Sequence, residues 1–272
     1  MATPFDHNHD AYYLAWLTIH AASEEGNADA VSHLISNGAE IDRADHYGRT
    51  PLFVAACKCH VEVAECLVSN GANIDRAANN GYTPLCAVAK SDHMAFVELL
   101  VSNGASVNQV ANGGYTPLLL ASCSGKEGIV ACLVSNGADV DQSNHEGITP
   151  LFVATQNEHE AVVACLVSNG SNIDQAANDG RTPFDVANKS NERIVRSLAL
   201  GGCSRSRSLQ FERRWPYVRW LVLAERGILA VDLDGPAVEV ARIFTRQFLP
   251  PLGDGPARFV PKEVWMCIVL FL

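Results

Sequence analysis

Short apolar clusters return along the first 200 positions at a constant step. Leu52, Leu85, Leu118 and Leu151 each open a run of apolar residues, and each lies 33 residues after the last. A second cluster follows the first within each period. In the period from Asp45 to Ala77 it holds Val63, Ala64, Leu67 and Val68, which share one face of a helix and no face of a strand. Polar breaks recur in phase. Thr-Pro precedes each Leu, at Thr50-Pro51, Thr83-Pro84, Thr116-Pro117 and Thr149-Pro150, with a fifth copy at Thr182-Pro183-Phe184. Asn-Gly closes each period at Asn37-Gly38, Asn70-Gly71, Asn103-Gly104, Asn136-Gly137 and Asn169-Gly170. Two markers locked to one period describe a repeated structural unit.

The chemistry of one period predicts its shape. Asp45-His46-Tyr47-Gly48 forms a turn, with Gly48 free to take positive φ. Thr50 caps a helix, and Pro51 stands at its first position, where a missing N–H costs nothing. The first helix runs from Leu52 to about Cys59 and the second from Val61 to Ser69. Gly71 ends the second in the left-handed conformation. Neither helix hides its apolar side alone, so the units must stack, and stability becomes a sum over neighbours. Six units are expected, at 11–44, 45–77, 78–110, 111–143, 144–176 and 177–202. The last is more polar, with Asp185, Asn191, Arg193 and Arg196, as a terminal cap should be.

The run Gly48-Arg49-Thr50-Pro51-Leu52-Phe53-Val54-Ala55-Ala56 resembles the Gly-x-Thr-Pro-Leu-His-x-Ala-Ala motif of the ankyrin-repeat family. Leu99-Leu100-Val101-Ser102-Asn103-Gly104-Ala105 is similar to the family's second-helix ending. The resemblance covers residues 11 to 202 and implies an all-α solenoid of helical hairpins with β-turn tips. It also implies protein recognition on a concave face. Two departures stand out. Phe53, Cys86, Leu119 and Phe152 replace the usual His, so the bonds that His makes are expected to be missing. The Gly of the family's Gly-His turn is mostly lost, as in Cys59-His60, Asp92-His93 and Glu158-His159.

Charge then narrows the partners. The chain has 272 residues and a formal net charge of −10. Residues 1–200 hold 10 Lys and Arg against 23 Asp and Glu, while residues 201–272 hold 10 against 7. The acidic array lacks the basic stripe of a nucleic-acid binder and favours a basic or neutral protein partner. No run approaches the ~20 apolar residues that cross a bilayer. Residues 1–10 are polar and read as a flexible leader without a signal-peptide pattern, which places the protein in the cytoplasm or nucleus. Nine cysteines without a signal fit reduced thiols. Cys66, Cys132 and Cys165 share a helix position that takes Leu at Leu99, and are expected in the core.

Beyond residue 202 the period stops. Residues 203–214 form a basic linker, whose Ser204-Arg205-Ser206-Arg207-Ser208 suits a kinase. Residues 215–272 read as a helical extension. Its last segment contains Pro261, Glu263, Val264, Trp265, Ile268, Phe271 and Leu272. It resembles the opening helix of an F-box, which implies contact with a Skp-type adaptor of a cullin ubiquitin ligase. A membrane tail anchor is the poorest reading of this segment, because nine apolar residues are far too short to cross a bilayer.

No catalytic grouping, phosphate loop, cofactor motif or zinc spacing stands out, and the Cys57-x-Cys59-His60 cluster lacks paired metal-ligand spacing. The protein is expected to be a non-enzymatic monomer without cofactor or metal. Asn108 takes a place held elsewhere by Asp42, Asp75, Asp141 and Asp174. In the resembling family an Asn there can be hydroxylated. The binding residues are expected where units differ, at the tips and the exposed ends of the first helices. The tips contribute His46, Tyr47, Arg49, Asn79, Asn80, Tyr82, Asn112, Tyr115, His145, Glu146, Ile148, Asn178, Asp179 and Arg181. The helix ends contribute Lys58, Lys90, Ser124, Gln156 and Lys189. Two functions follow: a substrate adaptor for ubiquitin ligation, or a scaffold, inhibitor or regulatory subunit that holds a partner.

Overall fold

A computed structural model of the chain describes residues 18–187 and 191–201. The leader at residues 1–10, the start of the first expected unit at 11–17, Lys189, the expected linker at 203–214 and the expected extension at 215–272, with its segment from Pro261 to Leu272, lie outside the described residues. Among those described, the secondary structure is helical, without strands. Paired helices follow one another: α1 Ile19–Glu25 with α2 Ala28–Ser36, α3 Pro51–Lys58 with α4 Val61–Ser69, and α5 Pro84–Val88 with α6 Met94–Ser102. Then come α7 Pro117–Cys123 with α8 Glu127–Ser135, α9 Pro150–Gln156 with α10 Glu160–Ser168, and α11 Pro183–Val186. The helix α12, Glu192–Leu200, belongs to a second compact unit that begins at residue 189.

The Thr-Pro-Leu motif works as the sequence implies. The hydroxyls of Thr50, Thr83, Thr116 and Thr149 accept the N–H of Phe53, Cys86, Leu119 and Phe152 at 3.1–3.2 Å. Each Thr is buried, so its hydroxyl closes a helix end that water does not reach. Thr182 departs from this pattern, since its N–H and hydroxyl both donate to Asp185 Oδ2.

Ser-Asn-Gly is a three-part stop. In α4 the Ser69 hydroxyl and the Asn70 amide both donate to Cys66 O, at 3.0 and 2.7 Å. Gly71 then turns left-handed at φ +85°, and Ala72 N–H returns to Leu67 O at 3.0 Å. The same three residues repeat this at the ends of α6, α8 and α10. The motif therefore satisfies carbonyls that the helix itself leaves open.

The core lies between units. First helices pack on first helices and second on second, from α1 to α11 and from α2 to α10. Leu52, Leu67, Leu85, Phe96, Leu100, Leu118, Leu133, Leu151, Phe152 and Leu166 are fully buried there. Cys66, Cys132 and Cys165 correct the sequence expectation: they are only partly buried. The stripe of α4, α8 and α10 turns these positions toward the rim, where Cys and Leu are both tolerated. Asn136 and Asn169 stand 3.8 Å from the sulfurs of Cys132 and Cys165. The seven described cysteines are free thiols.

The turn between the two helices shows what the lost glycines cost. Cys59 and Glu158 adopt φ +61°, where Gly26 and Gly125 serve the neighbouring units. A left-handed residue with a Cβ costs ~1–2 kcal/mol. The third unit, with Asp92 at this place, does not adopt it. Instead α5 ends after five residues, and the Ser91 hydroxyl donates to Val88 O at 2.7 Å. The packing of α5 on α7 is the thinnest between first helices in the described stack.

Three buried hydroxyls, on Ser122, Thr155 and Ser171, have no hydrogen-bond partner among the described residues. Ser122 and Thr155 take the place that Ala56 and Ala89 hold in other units. A buried unpaired hydroxyl costs ~1–3 kcal/mol. Thr155→Val and Ser122→Ala should each raise stability by ~1 kcal/mol in urea titrations.

Candidate functional site

The tips are built from polar residues whose duties differ from unit to unit. In the second unit the Asp45 carboxylate accepts the N–H groups of Tyr47 and Arg49 at 2.9 and 2.8 Å. In the fifth, Asn144 Oδ1 does the same for Glu146 and Ile148. Ala replaces these residues in the third, fourth and sixth units. In the third and sixth the acceptor shifts two places along, to Asn80 for Tyr82 N–H and to Asp179 for Arg181 N–H. The fourth unit has neither acceptor and instead spends two left-handed glycines, Gly113 and Gly114. A Cβ on Gly114 would stand 2.6 Å from His145 N, so this tip also needs glycine for the next one to dock.

Successive tips are tied together. The N–H of Asn79 donates to Tyr47 O, that of Asn112 to Asn80 O, that of His145 to Gly113 O and that of Asn178 to Glu146 O, at 2.9–3.1 Å. The amides of Asn79, Asn112 and Asn178 reinforce the ladder by donating to His46 O, Asn79 O and His145 O. These three Asn, expected at the binding face, therefore spend their side-chain donors inside the protein.

A second ladder runs along the loops after the second helices. Asp42, Asp75, Asn108 and Asp141 accept the N–H of Asn73, Ser106, Asp139 and Asn172, at 2.8–3.1 Å. Asn108 also donates to Gly137 O at 2.9 Å, which no Asp can do. Both polar ends of Asn108 are thus used.

His residues add a third tie. His20 Nε2 lies 3.0 Å from Arg49 O in the next unit. Phe53, Cys86, Leu119 and Phe152 sit at its place elsewhere and exchange that bond for burial. His60 Nε2 reaches Glu24 O and His159 Nε2 reaches Cys123 O, each at 3.0 Å. A Cβ on Gly26 or Gly125 would come within 2.7 Å of those rings. His93 faces a unit that has Cys59 instead of Gly, and its ring makes no such bond among the described residues. In the sequence these three His stand out only as the second residue of the altered Gly-His turn, with no partner named. The signal was present: a Gly one unit earlier marks the two that dock. Cys57, Cys59 and His60 have separate tasks, since Cys57 is exposed, Cys59 turns the chain and His60 grips the preceding unit.

The remaining candidate residues lie at several places along the tips and helix ends. Around the second tip the His46 ring lies against Tyr47, tilted by 46° with centroids 3.7 Å apart. Tyr47 is 57% exposed, and the Arg49 guanidinium stands 4.9 Å from its ring centre. Around the third and fourth tips Tyr82 and Tyr115 are half-buried, and Lys90 Nζ lies 5.0 Å from the Tyr82 ring centre. Burial raises the Tyr82 phenol above its ordinary value, and the nearby Cys86 and Tyr115 add to this. Lys58 is exposed and paired with Glu24 at 3.0 Å. At the far end Asp179 pairs with Arg181, which also lies over Phe152 at 5.8 Å. His145, Glu146 and Gln156 are exposed, and Ser124 and Ile148 half-buried.

A family model of ankyrin repeats matches the chain three times, over residues 4–78, 74–144 and 128–206. No curated protein matches it. No helix among the described residues is long and apolar enough to cross a membrane.

Partial burial opposes the charge of Asp45, but the N–H of Arg49, its guanidinium and the N–H of Tyr47 outweigh it. They hold the carboxyl below its usual value. A depressed carboxyl contributes stability above its unfolded pKa, near 4, and loses it as pH falls through the folded value. Asp45→Asn should therefore be less stable than the parent at pH 7, and the gap should shrink in acid denaturation series as pH falls through the lowered folded value of Asp45.

Proposed function

The chain belongs to the ankyrin-repeat family, and from that we propose that it is a non-catalytic recognition protein whose tips and first helices hold a protein partner. Ankyrin repeats are in general protein-interaction modules, which supports this class of function. The observation that carries the reading is one row of equivalent positions: Arg49, Tyr82, Tyr115, Ile148 and Arg181. The scaffold around this row is nearly constant, and its polar groups are consumed in ladders. The row itself changes from cation to aromatic to aliphatic and remains open to water. Invariant support beneath a variable surface is what a solenoid needs to select a partner. Half-exposed Tyr offers large contact area at little entropic cost.

A finer reading makes the chain a substrate adaptor for a cullin-type ubiquitin ligase. It is supported by the F-box-like pattern of Pro261, Glu263, Val264, Trp265, Ile268, Phe271 and Leu272, which follows the family match. The alternative is a scaffold or inhibitor that sequesters its partner. Affinity purification with and without residues 258–272 separates them. Selective loss of a Skp-type protein on truncation supports the adaptor, and an unchanged set of partners supports the scaffold.

Tyr82→Ala combined with Tyr115→Ala should leave helical circular dichroism intact and weaken a captured partner by at least ~1 kcal/mol in calorimetry. Unchanged affinity would remove the basis for this face.

A further inference from the structure

We propose that the segment bound on this face carries a carboxylate beside an apolar side chain, and that Lys90, Tyr82 and Tyr115 receive the two together. This rests on the binding-face reading above and specifies its partner.

The overall charge suggests the opposite partner, because the array is acidic. The local arrangement decides against it. Most cations of this face are already balanced: Arg49 by Asp45 at 2.7 Å, Lys58 by Glu24 at 3.0 Å, Lys126 by Asp92 and Arg181 by Asp179 at 2.6 Å. Lys90 differs. It is exposed, and among the described residues no carboxylate pairs with it; its neighbour is the Tyr82 ring. An ammonium over a ring keeps its hydrogens for an anion.

The surroundings reinforce the sign. Cys57, exposed as a residue but with its thiol partly sheltered, lies in the field of Arg49, Lys58 and Lys90; that shelter, with Cys59 adding to it, raises the thiol against the pull of the three charges. Of these three cations Arg49 and Lys58 are already paired, which leaves Lys90 as the one without a carboxylate among the described residues. Asp45, Glu24, Asp92 and Asp179, the acids beside this face, are themselves spent on its other cations. At physiological salt, exposed charges farther than about 8 Å are largely screened. An incoming carboxylate therefore responds to Lys90 more than to the net charge. The Tyr82 phenol, raised by burial, stays protonated and can donate a hydrogen bond. The half-exposed faces of Tyr82 and Tyr115 accept the apolar neighbour.

The test uses the full chain, a phage library of random 12-residue peptides at physiological salt, and the variants Lys90→Glu, Lys90→Met and Tyr82→Ala. The parent should enrich peptides with Asp or Glu beside an aliphatic or aromatic residue. Lys90→Met should weaken those peptides at least about tenfold. Lys90→Glu should select Lys or Arg in their place, and Tyr82→Ala should lose both kinds. Lys90 is exposed, so its variants should keep the parent's circular dichroism spectrum. Enrichment of basic or uncharged peptides, lost in Tyr82→Ala but indifferent to residue 90, overturns the carboxylate inference and leaves the binding face standing. Peptides held equally by all four proteins, or no enrichment at all, overturn both.

Discussion

Each hairpin of this protein has an apolar side that nothing within the hairpin can cover. That constraint orders the rest. Leu52, Leu85, Leu118 and Leu151 are wholly buried because another unit lies against them. Area burial has no direction, however, and would allow units to slide or rotate. Register comes from the polar ties: tip to tip through backbone N–H groups, loop to loop through Asp42, Asp75, Asn108 and Asp141, and helix to turn through His60 and His159. Each tie joins residues about one period apart, so the repeat length is written into the bonding as well as into the core.

This division explains which features the sequence made legible. The Thr-Pro-Leu and Ser-Asn-Gly motifs act within a few residues of themselves, and their caps and stops follow from local chemistry. Hydrophobic spacing likewise marked the core. The fate of Asn79, Asn112 and Asn178 was not legible, because their partners lie 33 residues away and an exposed polar residue reads the same bonded or free. Cys66, Cys132 and Cys165 misled for a related reason. A position that alternates Cys with Leu fits the core and its rim equally, and the rotation of the helix decides between them.

The face proposed for binding benefits from this economy. Residues tied into ladders cannot vary without loosening the stack. Residues one or two positions away carry no such duty. Arg49, Tyr82, Tyr115, Ile148 and Arg181 stand on stems whose backbone carbonyls accept the N–H groups of Asp45, Ala78, Ala111, Asn144 and Ala177. A rigid stem under a free side chain lowers the entropy lost on binding.

The shortened helix α5 gives the array a mechanical character. A row of similar units under strain yields where its joint is slimmest, and here that joint separates Tyr82 from Tyr115. A ligand spanning both would act as a splint across the soft coil of a spring, so that occupancy and stiffness rise together.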